Sequence, residues 1–332
     1  MLNTTNGTIR FRSVHEVQVE KSIFSFVDTA KIRVPATARL AQQGELCAES
    51  IETAKQFQEG DKVEIKLGYD NNLETEFKGF IKRVNFTTPC EIECEGYSWQ
   101  LRKKTFAKSW KDANVKDILQ ELIAGTDITI HKDTPDTKFE GQFVLNDENA
   151  ATALEKMKKE MFLTVYFIGG DQLYVGLEQT AQTGKEVKYK LGWNTIKDDQ
   201  LKYRRAEDTK IYMRVSYKNK KGKTLYKKFG HTGGVEQPMD CGMVTDMNLL
   251  KRMVNAKARE FRYAGYEGKI TAFLQPYAQH GWKAVLTDNK YSERNGSYII
   301  TSTEVHFGTG GARRMVGIGR SLTIKQDDLN ES

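Results

Sequence analysis

The side chains that could do chemistry in this chain are few, and they do not group. The five histidines (His15, His131, His231, His280 and His306) form no H-x3-H or H-E-x-x-H pair, so the helical zinc motifs have no support. His15 and His306 fall in apparent strands, where a packed or polar-face histidine is the ordinary reading. Cys90 and Cys94 form C-x3-C, a spacing that a metal site could use. They lie, however, in Cys90-Glu91-Ile92-Glu93-Cys94-Glu95, a two-residue alternation. In a strand that pattern puts Cys90, Ile92 and Cys94 on the inner face and the three glutamates outside. Cysteine there acts as a small hydrophobe, and no second Cys or His pair completes a zinc set. Cys47 and Cys241 are too scattered to build a disulfide framework, which points to a reducing compartment.

Nucleophilic and phosphate-binding motifs are equally absent from the sequence. It has no G-x-S-x-G elbow and no Cys–His signature. Gly308-Thr309-Gly310-Gly311 is followed by Ala312-Arg313-Arg314 instead of the Lys-Ser/Thr of a P-loop. Gly317-Ile318-Gly319 lies inside a strand-like run. The first reads as a hairpin turn and the second as a close backbone approach. A glycosidase needs only two carboxylates brought together by the fold. Among 44 acidic residues no pair is singled out, and most occupy outward positions. The expectation is therefore no catalytic, cofactor-binding or metal-ligating residue, no cofactor, and a protein that is not an enzyme.

Charge is the one uneven property. The formal net charge of +7 divides into −3 for residues 1–100, −1 for 101–200 and +11 for 201–332. Such asymmetry marks the last third as a partner surface. Its basic stretches are Lys202-Tyr203-Arg204-Arg205, Lys218 to Lys223 and Lys227-Lys228. The second reads as a lysine-rich hairpin tip, ordinarily a solvated loop. The sharper alternative is a phosphate-contacting patch, with Tyr203, Tyr212 and Tyr217 available for stacking.

The elements that position these residues fall into three stretches. Residues 1–100 read as all-β. Val63, Ile65 and Leu67 alternate with Lys62, Glu64 and Lys66, Asp70-Asn71-Asn72 supplies a turn, and a return strand runs from Phe77 to Val84. Short strands with charged outer faces indicate a small barrel or sandwich. Residues 101–200 change period. Val115, Ile118, Leu119, Leu122 and Ile123 share one helical face, with Asp112 as the cap and Gly125 as the stop. A second helix spans about 148–161 with Asp147 as its cap, and a hairpin turns at Gly169-Gly170-Asp171. Residues 201–332 return to strands around a helix at about 245–265, which opens at Asp246 and stops by Gly265.

With 332 residues and 39% hydrophobic content, two or three domains are expected. The apolar runs, such as Met161 to Ile168, fall far short of the ~18–20 residues that cross a bilayer. The N-terminus carries no basic-then-apolar signal segment, and the expectation is no membrane insertion by the chain itself. Five prolines and no low-complexity tract argue against disorder. The two β-rich ends also echo one another. Gly60-Asp61-Lys62-Val63 leads to a turn at Asp70, and Gly281-Trp282-Lys283-Ala284 leads to one at Asp288-Asn289. The echo is weak, but it is what a duplicated barrel would leave.

Taken in order, these features resemble the late control protein D family, the baseplate hub proteins of contractile phage tails and related contractile injection systems. The motifs that carry the resemblance begin with Phe57-x-x-Gly60-Asp61-x-Val63-x-Ile65-x-Leu67-Gly68-Tyr69, Phe77-x-Gly79-Phe80-Ile81 and Pro89-x-x-Ile92-x-Cys94-Glu95. They continue with the Ile118-Leu119 and Ala153-Leu154 helices, Leu173-Tyr174-Val175-Gly176-Leu177, Tyr291-x-Glu293-Arg294-x-Gly296-x-Tyr298-x-Ile300 and Gly310-x-x-Arg313-Arg314. Nearly the whole chain is covered. One departure stands out: the family repeats the Gly-Asp strand opening in its second barrel, and here Trp282 follows Gly281.

The resemblance implies a mainly β fold with α+β insertions. A first tube-like β-barrel would occupy 1–100, an α+β middle domain 101–200, and a second tube-like β-barrel with the helical insertion 201–332. It implies a homotrimer forming a pseudo-hexameric ring that joins a sixfold tail tube to a threefold central spike. The middle domain and the inserted helix would decorate the outside. The implied partners are other copies of the chain, the tail tube protein, the central spike protein and other baseplate proteins, with DNA or an effector passing through the channel. The implied location is the baseplate of a virion tail or injection particle, assembled in the bacterial cytoplasm. The alternatives are a peptidoglycan-cleaving hub enzyme of the same particle and a nucleic-acid-binding β protein.

Overall fold

The computed structural model describes all residues except 1, 5, 6, 10, 12, 13, 43, 44, 140, 141, 178, 180–183, 199, 220, 243, 245, 325–327 and 332. The protein is mainly β, about half of it in strands, with a large sheet curled into a half-barrel and few helices. The alternation seen in the sequence is what builds the sheet. Strand Lys62–Tyr69 buries Val63, Ile65 and Leu67, and strand Cys90–Glu95 buries Cys90, Ile92 and Cys94. Asp70 and Asn71 both take positive φ (49° and 63°), the pair of left-handed residues that a two-residue hairpin requires. The return strand, Asn72–Asn85, starts earlier than the pattern indicated because Asn72 and Leu73 at its head are both exposed and show no inward alternation.

In the first β-rich stretch the strands lie in the order Glu16–Ser22, Ser25–Val34, Cys90–Glu95, Asn72–Asn85, Lys62–Tyr69. In the last stretch, Gly296–Gly308 pairs with Gly311–Ser321, which pairs with Lys269–Ala272. The two stretches are then joined in one continuous sheet. The 13-residue strand Gly296–Gly308 also pairs antiparallel with Glu16–Ser22, placing Val305 opposite Val19 and Phe307 opposite Val17. The same strand serves two cores. Ile300 packs with Tyr189, Tyr266, Ile270 and Val316, whereas Val305 packs with Val19, Ile32, Ile65 and Ile92.

The middle helices are α1 (Val115–Leu122) and α2 (Ala150–Glu160), and a third, α3, spans Met247–Phe261. Their apolar faces lie in a third core with the hairpin Thr164–Ile168/Gln172–Gly176 and the three-stranded sheet centred on Ile211–Lys218. Two caps differ from expectation. Asp112 and Asp147 take left-handed backbone (φ 49° and 58°) three residues before each helix, so the N-cap positions pass to Asn114 and Asn149. The Asn149 side chain accepts a hydrogen bond from Thr152 N at 2.9 Å. Asp246 caps α3 as expected, accepting from Asn248 N at 2.9 Å. The helix ends at Phe261, and Gly265 opens the next strand.

Gly308–Gly311 is a hairpin turn, and Gly317 is a close approach, since a Cβ there would sit 2.4 Å from Ser302 Oγ. Ile92 is fully buried on the inner face, whereas Lys66 points outward from the same sheet. Ile92→Ala is expected to cost about 2–5 kcal/mol in urea unfolding and Lys66→Ala at most about 0.5 kcal/mol. Equal effects would contradict the inside–outside assignment.

Candidate functional site at the junction

The three stretches converge on a polar junction built around Arg314. Its side chain is 0% exposed. The guanidinium meets the buried Glu76 carboxylate in a bidentate pair, Nη2–Oε1 at 2.6 Å and Nη1–Oε2 at 3.0 Å. It also donates to the carbonyls of Ala278 (3.0 Å) and Leu274 (3.1 Å) and lies 5.1 Å from the Tyr277 ring centre. A buried charge is tolerable only with such compensation. The two partners are 238 residues apart, Glu76 on a strand of the first stretch and Arg314 on a strand of the last. Beside them Tyr277 Oη donates to Thr75 O at 2.6 Å.

Three further ionisable groups are buried at this junction, Lys21 within electrostatic reach of the pair and Asp28 and His280 linked to it through Lys21. Lys21 donates to Gln279 Oε1 at 3.1 Å, and burial pulls its pKa below the ordinary lysine value. Asp28 is pushed up to about 7, chiefly by desolvation, against the opposing pull of Lys21. His280 donates from Nε2 to Phe167 O at 2.8 Å, reaching into the middle unit, and desolvation lowers its pKa to about 3. Its ring stands edge-on to Tyr166 at 5.5 Å, and its Nδ1 is buried without a partner.

Next to these groups lies a cleft of about 350 Å³ lined from all three stretches. Lys21 and Lys78 come from the first, His131, Lys132 and Lys185 from the second, and His280 and Trp282 from the loop before strand Lys283–Thr287. Phe77 and Tyr277 supply apolar walls. No Asp, Glu, Ser or Cys is among the described lining residues. The cleft therefore offers ammonium and imidazole groups to a ligand. Trp282 is half-buried here, edge-on to Tyr277 at 5.6 Å with Lys185 over its ring at 5.3 Å.

The residues that the sequence raised for other chemistry are dispersed. Cys90 and Cys94 are buried, and desolvation raises both thiols, so they are poor nucleophiles at neutral pH. Cys241 is buried with its thiol pushed up to about 12, and the Cys47 side chain lies outside the described residues. Among the described residues no group of three or more His, Cys, Asp or Glu side chains could hold a metal ion. His15 lies in a bend preceding its strand, while His306 is paired with Arg313 within the sheet. The Lys218–Lys223 segment does form a hairpin tip, in which Asn219 Oδ1 accepts from the Lys221 and Lys223 amides; Lys220 lies outside the described residues. The stacking role suggested for its tyrosines is not available to Tyr217, which is buried in the core. Tyr203 is edge-on to Tyr266 at 5.2 Å, and Tyr212 lies under Lys228 at 5.6 Å.

Sequence reasoning assigned no role to Arg314 and Glu76. The signal for Arg314 was present: in Ala312-x-Arg314-x-Val316-x-Ile318 it holds an inward position of the alternation.

Removing one partner of the clasp leaves a buried uncompensated charge. Glu76→Ala is expected to cost about 3–5 kcal/mol, and the double variant Glu76→Leu/Arg314→Met clearly less, by urea denaturation. Additive losses would show that the pair does not act as a unit. The buried titrating groups oppose one another with pH. Asp28, raised in the fold, contributes stability that is present at low pH and lost as pH rises from about 4 to 7. His280, depressed in the fold, contributes stability that is lost as pH falls from about 6.5 to 3. Asp28→Asn removes the first slope, so its unfolding free energy should fall more steeply than the parent's between pH 6.5 and 4. Parallel profiles would refute the assignment.

No family model and no curated protein matches the sequence. Solved structures do match it in fold. A tail protein from Neisseria meningitidis MC58 superposes with a TM-score of 0.69 at 10% identity, over 96% of this chain and 94% of that one. The 43 kDa tail protein of prophage MuSo2 from Shewanella oneidensis gives 0.61 at 11% identity, over 93% and 94%. The Escherichia coli c3393 protein, described as a type VI secretion system component with structural similarity to the T4 bacteriophage tail proteins gp27 and gp5, gives 0.56 at 10% identity, over 94% and 74%. From end to end, then, this chain has a fold found in phage tail proteins and in a type VI secretion component.

Proposed function

We propose that the chain is a structural baseplate hub of a contractile phage tail or a related injection system. Three copies form a pseudo-hexameric ring that joins a sixfold tail tube to a threefold central spike. The observation that carries this reading is the end-to-end likeness in fold to the Neisseria tail protein, nearly complete on both chains. The same architecture in a secretion component favours a role common to both machines over one peculiar to either. In this reading the sheet over each of its two cores is one tube-like barrel wall, and two such walls in one chain allow three chains to present six. Its partners are other copies of itself, the tube and spike proteins and neighbouring baseplate proteins, at the baseplate of the particle. No catalytic step is assigned to it.

The described sheet ends on strand Thr195–Lys197, paired on one side with Lys269–Ala272. An open edge of this kind seeks a neighbour. Trp193 beside it is 79% exposed, and an exposed aromatic at an edge is the kind of residue that anchors an interface. Light scattering should therefore give the mass of three 37.9 kDa chains, and Trp193→Asp should shift the population toward monomer. A strict monomer at all concentrations would overturn the hub reading. A trimer indifferent to Trp193→Asp would move the interface elsewhere.

A further inference from the structure

The junction cleft has a feature that ring assembly does not use. Three lysines, Lys21 and Lys78 from the first stretch and Lys132 from the second, face a space of about 350 Å³ whose described lining contains no carboxylate. That volume is at the lower end of the ~300–1,000 Å³ typical of small-molecule sites. Three acids lie behind the lining, and one of them, Asp133, places Oδ2 3.8 Å from Nδ1 of His131. Glu76 is committed to Arg314 through both oxygens. Asp28 acts on Lys21, but not strongly enough to offset its burial. Lys21 spends one N–H on Gln279 Oε1 and has two more to give. His280, 5% exposed, lines the same cleft with Nδ1 unpartnered. Because Nε2–H is donated to Phe167 O, Nδ1 of the neutral ring is an acceptor and asks for a donor.

We propose that this cleft binds a small phosphate-class anion, the lysines meeting its charge and its own hydroxyl donating to His280 Nδ1. At neutral pH hydrogenphosphate supplies both the double negative charge and the O–H, whereas sulfate supplies the charge alone. Ammonium groups suit phosphate as point charges, and partial burial strengthens each contact over its value in open water. The apolar faces of Phe77, Tyr277 and Trp282 would shield the anion from solvent.

Isothermal titration of the full chain at low ionic strength tests this with inorganic phosphate, pyrophosphate and sulfate. Saturable binding of one phosphate per chain is expected, with sulfate weaker by at least about fivefold. Lys78 and Lys132 are exposed, so Lys78→Gln and Lys132→Gln should fold normally and weaken phosphate about three- to tenfold each, while Lys66→Gln, away from the cleft, leaves it unchanged. Four results would each overturn the proposal. They are no saturation below about 10 mM phosphate, sulfate binding as tightly as phosphate, an equal loss in Lys66→Gln, or displacement of pyrophosphate by a short oligonucleotide as effectively as by phosphate itself. The last would mark a surface for nucleic-acid backbone.

Discussion

The pairing of Arg314 with Glu76 is the constraint on which the rest of the structure hangs. A guanidinium with no solvent exposure survives in the fold only because the carboxylate opposite takes both of its outer nitrogens and two carbonyls take the remaining outer protons. Those carbonyls belong to the segment carrying Leu274 and Ala278, so the clasp fixes three pieces of chain at once. The strand seam between Gly296–Gly308 and Glu16–Ser22 then runs beside it, and the two β-rich stretches share one sheet. Desolvation in the same junction sets the opposing pH responses of Asp28 and His280.

Much of the fold was legible in the sequence, for a local reason. Where one face of a strand is buried and the other wet, period-two alternation is compulsory. Cys90 to Cys94 and Val63 to Leu67 therefore declared their inner faces. The three helices declared themselves by period 3.6. Their caps were less legible because Asp and Asn compete for the same job within two or three residues. Asp112 and Asp147 were spent on left-handed turns, leaving Asn114 and Asn149 to open the helices. Tyr217 could have been placed correctly, since Ile211-x-Met213-x-Val215-x-Tyr217 is an inward row, and its chemistry as a stacking group drew attention from that pattern.

The junction was not legible, and the reason is range. A charged residue at an inward position, as Arg314 and Glu76 both are, reads locally as an irregularity. It becomes a site only when a partner 238 residues away is brought opposite. The sheet seam has the same character, because strand pairing across nearly the full chain leaves no local mark. Cleft and clasp are both products of that long-range closure. The basic excess of the last third is likewise spread by the fold. Lys227 pairs with Glu331, Lys269 with Glu304 and Arg204 with Glu267, so part of the surplus is met by carboxylates within the fold.

The proposed hub requires three copies of the chain to close into a ring. Negative-stain imaging of the purified protein, with class averages computed without imposed symmetry, tests that most directly. The account predicts threefold rings with an open central channel and six similar wall segments. Compact single-chain particles, or closed assemblies of other symmetry with no channel, would contradict it.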